Sequence, residues 1–176
     1  VDFLVSVESP CLKIASFDIV NSSLLKTVAT TKIPVIMSRG MANKNEIDTA
    51  VEILRSSGTE ISLLHCISAY PVPNIDCLNL ATINELKNLY GCHTGFSDHT
   101  LGIEAPLHAV SAGATIIEKH FTLSKKENGP DHQLSAEPEE MKAMIDGVNR
   151  VKRMLGTPLL DSLEEEKEIL QYRRKI

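Results

Sequence analysis

The sequence predicts an α/β fold in which short parallel strands alternate with covering helices, and three observations predict it. Brief apolar runs of strand length recur along the chain, each followed by a segment with apolar residues at helical spacing. The runs are apolar rather than alternating, as strands are when helices cover a parallel sheet. Polar residues gather where the runs end: Ser16, Ser38, His65, Ser97 with Asp98 and His99, and Glu118 with His120. The carboxyl ends of strands are where parallel α/β folds build their sites. A length of 176 residues, 43% of them hydrophobic, suits one globular domain with a real core.

The chain opens with Val1 to Val7, an apolar stretch too short for a membrane span and interrupted by Asp2, so it reads as neither a signal nor an anchor. With no Met at the start, the sequence reads as cut from something longer. Cys11 to Ser16 is the first strand candidate, followed by a helix with Leu24, Leu25 and Val28 on one face. Ile33 to Met37 is the second, and Ser38 to Gly40 its turn. A helix carrying Ile47, Ala50, Val51 and Leu54 follows, with Asn43 and Glu46 spaced as a capping box and Gly58 as its stop. Ile61 to Cys66 repeats the strand signal, and a loop with Pro71 and Pro73 leads to a helix bearing Leu80, Ile83, Leu86 and Leu89. Thr94 to Ser97 precedes an Ala-rich helix at Ala105 to Ser111. Thr115 to His120 precedes a helix that begins at Pro138, a residue suited to the first helical position, and turns Met141, Ile145, Val148 and Leu155 inward. Residues 159–176 are charge-rich and read as a solvated helix or linker.

About five strand-helix units are therefore visible. A closed eight-unit barrel needs roughly 250 residues, so the chain can supply only the later strands of one. A complete doubly wound sheet of about five strands fits the length without remainder, and periodicity alone favours it.

Composition narrows the function. A formal charge of -5, with 18 Lys and Arg scattered through the chain, leaves no basic stripe for nucleic acid. Cys11, Cys66, Cys77 and Cys92 lie far apart with no CxxC pair, which reads as reduced thiols of a cytoplasmic protein.

Two segments carry the chemistry. In Gly95-Phe96-Ser97-Asp98-His99-Thr100 a strand runs into a turn dense with polar groups, where the His and Asp either meet a ligand or merely fix the turn. In Glu118-Lys119-His120 the period of two puts Glu118 and His120 on one face and turns Lys119 to the other. Adjacent strands lie about 4.8 Å apart, so His99 and His120 at neighbouring strand ends can reach one divalent ion and leave coordination positions open. Lys13, inside an apolar strand, calls for an anionic partner or snorkels to solvent. Ser16 and Ser38, with the amide of Gly40, can bond a phosphate. Asp131 either places a carboxylate over the pocket or is an ordinary turn residue. His65 reads as a packing histidine at least as readily as a catalytic one, and His93 and His108 as incidental.

Six ordered motifs then resemble one family. Leu12-Lys13-Ile14-Ala15-Ser16, Ser38-Arg39-Gly40-Met41, Leu63-Leu64-His65-Cys66 with Tyr70-Pro71-Val72-Pro73, Gly95-Phe96-Ser97-Asp98-His99-Thr100, Glu118-Lys119-His120-Phe121-Thr122 and Gly129-Pro130-Asp131 stand in the order found in the N-acetylneuraminate (sialic acid) synthase family. That family includes spore-coat polysaccharide, legionaminic and pseudaminic acid synthases. The resemblance spans Leu12 to Leu155 and implies the later part of a TIM (β/α)8 barrel, with the first three units, a catalytic Glu on the first strand and a C-terminal antifreeze-like domain missing. On that reading residues 1–158 are a partial synthase barrel and 159–176 a linker toward the missing domain.

The resemblance further implies that His99 and His120 ligate Mn²⁺, with Mg²⁺ or Co²⁺ as alternatives. It implies that Lys13, Ser16, Ser38 and Ser97 hold phosphoenolpyruvate, and that Tyr70, Glu118 and Asp131 face an N-acetylated amino sugar. Ser68 stands where many relatives have Asn near the phosphate, and Arg39 replaces a common Thr, so the sugar is left open. The implied reaction is attack of the enol carbon on the sugar aldehyde, addition of water and loss of phosphate, with Lys13 on the phosphate and Glu118 or Asp131 moving protons. A homodimer is implied for the full-length form. Two rival readings stand beside it: a metal-dependent hydrolase using the same histidines, and a partial barrel without turnover.

Overall fold

The computed structural model describes residues 1–174; Lys175 and Ile176, the last residues of the charged tail, lie outside the described residues. Five strands form one parallel sheet: β1 (Leu12–Ile14), β2 (Val35–Ser38), β3 (Ile61–Cys66), β4 (His93–Asp98) and β5 (Ile116–Lys119). The helices are α1 (Asp2–Ser6), α2 (Ser22–Thr31), α3 (Lys44–Arg55), α4 (Thr82–Tyr90), α5 (Glu104–Ser111), α6 (Pro138–Leu155) and α7 (Lys167–Leu170).

Strand order decides between the two architectures. The strands follow one another in chain order, β1-β2-β3-β4-β5, with every pair parallel. A doubly wound sheet reverses its order at a switch point; this one never reverses, so the architecture that periodicity favoured is wrong. The sheet also curls. Lys13 on β1 and Glu118 on β5 are separated by four strand spacings, roughly 19 Å in a flat sheet, yet Lys13 Nζ comes within 3.6 Å of Glu118 Oε1. Sequential parallel order and strong curl together make the sheet part of a barrel, open along one side.

Helices cover the convex face and create two apolar clusters. One joins β1–β3 to α2 and α3 through Leu12, Ile14, Leu25, Val28, Met37, Ile47, Leu54 and Leu63; the other joins Phe96 of β4 to Ile83 of α4 and to Ala105 and Ala109 of α5. The predicted capping box forms: Asn43 accepts from Glu46 N–H and the Glu46 carboxylate accepts from Asn43 N–H. Two helix faces differ from expectation. On α4, Leu89 is exposed and Tyr90 is buried in its place, its hydroxyl donating to Asp48. On α6, Ile145 and Leu155 are exposed, while Met144 and Gly147 are buried. Gly147 suits that register, because a Cβ there would stand 2.7 Å from a Leu107 methyl of α5 and that side chain would have to shift. Beyond α6 the described residues up to 174 are exposed.

Candidate functional site

A cleft of about 370 Å³ opens at the carboxyl ends of the strands, on the concave side. Lys13, Ser16, Ser38, Cys66, Tyr70, Ser97, His99, Glu118 and His120 line it. A larger cavity of about 810 Å³ lies at the other end of the sheet among Arg55, Thr59, Lys87 and Thr94. The smaller one is the candidate site, because the polar residues of the strand ends converge there and ligands of parallel α/β sheets bind at that end.

Strand parity aims the residues. Cys66 pairs with Ser97, and Ser97 with Glu118, so these three occupy one rung facing the cleft. Ser97 donates to Glu118 Oε1 at 2.6 Å. On the opposite wall Lys13 donates to Ser38 Oγ at 2.9 Å and to the Ile14 carbonyl at 3.0 Å. The anionic partner that Lys13 calls for within the protein is therefore Glu118, reached across the cleft. Ser16 and Ser68 hydroxyls share a hydrogen bond of 2.9 Å. Gly40 makes that contact feasible: its φ is +37°, and a Cβ would fall 2.2 Å from Ser16 Cβ and 2.5 Å from Ser68 Oγ. Lys13, Ser16, Ser38 and Ser68 thus form one polar corner, with Ser68 behind Ser16.

His99 and His120 lie edge to face with ring centroids 5.4 Å apart, and the Tyr70 ring packs on His99 at 4.1 Å. The Val72 N–H donates to the His99 carbonyl at 3.0 Å, laying the Tyr70–Pro73 loop across the turn. His99 Nδ1 is 2.8 Å from the Ile67 carbonyl, so Nδ1 carries the proton and Nε2 keeps its lone pair. Burial holds the His99 imidazole below its usual range, against the opposing pull of that hydrogen bond, and His120 adds to the depression. Burial, followed by the neighbouring Cys66, Asp131 and Glu118, pushes the Tyr70 phenol up and keeps it a neutral donor. Asp131 stands at the rim, its Oδ2 3.9 Å from His120 Nδ1 and its side chain half exposed.

The two imidazoles suit a divalent cation. A carbonyl-anchored neutral His beside a second ring is the donor arrangement metals use, and among the described residues no third His, Cys, Asp or Glu joins them as a closed set. Such a pair leaves coordination positions for substrate oxygen.

Other predicted residues do not enter the cleft. His65 faces the helix layer, fully buried, with Nε2 2.6 Å from the Leu78 carbonyl and Nδ1 accepting from Arg39 Nε at 3.2 Å, which makes it the packing histidine. His93 and His108 are exposed and outside the cleft. The four cysteines are unpaired, and burial pushes the Cys66 thiol up, so it lines the cleft as an inert group. Sequence reasoning missed Cys66 as a lining residue, although its place two residues after Leu64 on a strand whose other face holds His65 gives its parity. It also missed the Arg39–His65 contact, for which no local signal exists.

A family model described as the NeuB family matches residues 1–159. An uncharacterised protein of Methanocaldococcus jannaschii is 46% identical over 99% of this chain, and an N,N'-diacetyllegionaminic acid synthase of Campylobacter jejuni is 38% identical over 99%. The chain covers 52% and 53% of those two proteins, so it spans about half the length of the curated relatives it matches. The crystal structure of a sialic acid synthetase of Leptospira borgpetersenii, in complex with citrate, superposes with a TM-score of 0.91 at 42% identity, over 98% of this chain and 60% of that one. A truncated 3-deoxy-D-arabino-heptulosonate 7-phosphate synthase of Thermotoga maritima, at a TM-score of 0.71 and 19% identity over 84% of this chain and 60% of that one, shares the fold alone. Matched by the family model over nine-tenths of its length, the chain belongs to the NeuB family.

Proposed function

We propose that the chain is the metal-binding part of a nonulosonic acid synthase, a transferase that condenses phosphoenolpyruvate with N-acetylmannosamine or a related N-acetylated amino sugar and releases phosphate. One observation carries the reading: the Lys13 and serine corner faces the imidazole pair and Glu118 across a single cleft. A hydrolase needs the second half of that arrangement and has no use for the first.

His99 and His120 would hold the divalent ion, Mn²⁺ or alternatively Mg²⁺ or Co²⁺, which when bound supplies Lewis acidity to an aldehyde oxygen. The remaining work falls to the chain's own side chains. Lys13 and the hydroxyls of Ser16 and Ser38, steadied by Ser68, bind the phosphate as charge-assisted donors. Ser97 fixes one oxygen of Glu118 and lies between the phosphate corner and the sugar. Glu118, which touches both sides of the cleft, takes up the proton released when water adds to the carbon bearing the phosphate. Tyr70 donates to the sugar, and Asp131 at the rim accepts from its hydroxyls. The four unpaired cysteines fit a reducing compartment, the cytoplasm. Among the described residues no helix is long and apolar enough to cross a membrane. The full-length form acts as a homodimer on small molecules.

The test is phosphate release from phosphoenolpyruvate with Mn²⁺ and N-acetylmannosamine, followed in a version of the protein extended to the length of its relatives. Release should require both substrates and fall by at least about 100-fold in His120→Ala, the range for losing a principal catalytic stabiliser. Phosphate release that ignores the sugar, or survives His120→Ala, would overturn the proposal.

A further inference from the structure

Next to the two histidines along the chain lies a buried ion pair that the proposed chemistry does not use. Asp98 and Lys119 are opposite each other in the β4–β5 register. Lys119 Nζ is 2.6 Å from Asp98 Oδ2, and the two side chains are 1% and 0% exposed. Lys119 Nζ also donates to the Thr100 carbonyl at 2.9 Å, while Asp98 Oδ1 accepts from the Thr100 N–H at 2.9 Å. Two strand ends and the turn after β4 are thereby closed into one ring of hydrogen bonds.

The placement of that ring is informative. His99 lies between Asp98 and Thr100, so its backbone is held on both sides, and His120 directly follows Lys119. Both imidazoles therefore ride on the same four hydrogen-bonding groups. Holding two strands side by side does not require charges there, since a well-packed apolar pair serves a buried rung as well or better. What an apolar pair cannot do is bind both the N–H and the carbonyl of Thr100, and that is the part of the network that sets the turn.

We propose that Asp98 and Lys119 are positioning residues that set the spacing and orientation of His99 and His120 for metal. The proposal rests on the reading of those histidines as a metal site. Partners outside the ligands commonly change metal affinity by about 10–100-fold, and that is the effect expected here.

The experiment compares parent, His120→Ala, and the double variant Asp98→Asn with Lys119→Met, which removes both charges so that neither is left buried alone. Mn²⁺ affinity is measured by calorimetry and the visible absorption of bound Co²⁺ is recorded, neither requiring turnover; thermal melting is followed alongside. The double variant should melt close to the parent, bind Mn²⁺ about 10–100-fold more weakly and show an altered Co²⁺ spectrum. A variant that melts like the parent with unchanged affinity and spectrum would assign the pair to sheet stability and overturn the proposal. A double variant that fails to fold would do the same, provided Asp98→Asn alone folds and keeps the parent's Co²⁺ spectrum; an altered spectrum in that single variant supports the positioning role. If the parent binds no metal, or His120→Ala binds as well, the metal-site reading itself fails, an outcome distinct from failure of the clamp.

Discussion

His65 illustrates how one residue's partners decide its role. Its ring is buried against the Leu78 carbonyl and beside the Arg39 guanidinium, and burial first, then the Arg39 charge, holds it below the usual histidine range. In the unfolded chain it takes up a proton below about pH 6.5, while in the fold it stays neutral to lower pH. The unfolded state then binds more protons as pH falls, so stability drops from about pH 6.5 downward and levels off once the folded-state value is passed. Urea unfolding at pH 7.5 and 5.5 should show a smaller acid loss for His65→Gln than for the parent; equal losses would mean that His65 does not contribute. At this scale the sequence was informative wherever parity alone sufficed. A two-residue period places Glu118 and His120 together, and both line the cleft; Lys119 also borders it, but its side chain is buried against Asp98. The partners of those residues were not legible. Asp98 meets Lys119 through the β4–β5 register and Arg39 meets His65 through the β2–β3 register, which join positions 21 and 26 residues apart.

Among the elements, β4 is the one on which the site depends most, and Gly95 is its tightest point. A Cβ at Gly95 would stand 2.2 Å from the Ile116 carbonyl oxygen and 2.6 Å from a Leu64 methyl. The first neighbour is backbone of β5 and cannot rotate away. Gly95→Ala must therefore push β5 from β4, the two strands that carry the histidines, at a cost of about 1–3 kcal/mol or more. Denaturant unfolding checks the loss, and a change below about 0.5 kcal/mol, the usual range of harmless surface substitutions, would show that the strands part freely. Strands were legible because each is an apolar run closed by polar residues; β3 falls at Ile61–Cys66, as its pattern predicts. Helix faces were less so. The apolar stripe of α6 points to Ile145 and Leu155, but the buried face is that of Met144 and Gly147, where a Cβ on Gly147 would require the Leu107 side chain to shift.

At the level of the whole molecule, periodicity counts strand-helix units without ordering them, and order is what separates an open doubly wound sheet from part of a barrel. Only the six motifs in sequence carried that information beforehand, through resemblance. The sequential, curled sheet has a physical consequence for the 176-residue chain taken alone. Among the described residues β1 and β5 pair on one side only, so each presents unpaired N–H and carbonyl groups, and β1 is short while β5 carries half-buried Ile116 and Ile117. Free strand edges of this kind template association with another chain. The cleft between them spans the chord of the curl, held by the Lys13–Glu118 contact, which at 33% and 40% side-chain exposure is too solvated to close the sheet by itself. Light scattering on residues 1–176 should therefore show mass rising with concentration, while a version extended to the length of its relatives keeps one fixed mass. A chain that stays monomeric throughout would mean that its edges are protected by the twist of the sheet, and that β1 and β5 do not depend on further strands to remain apart from other copies.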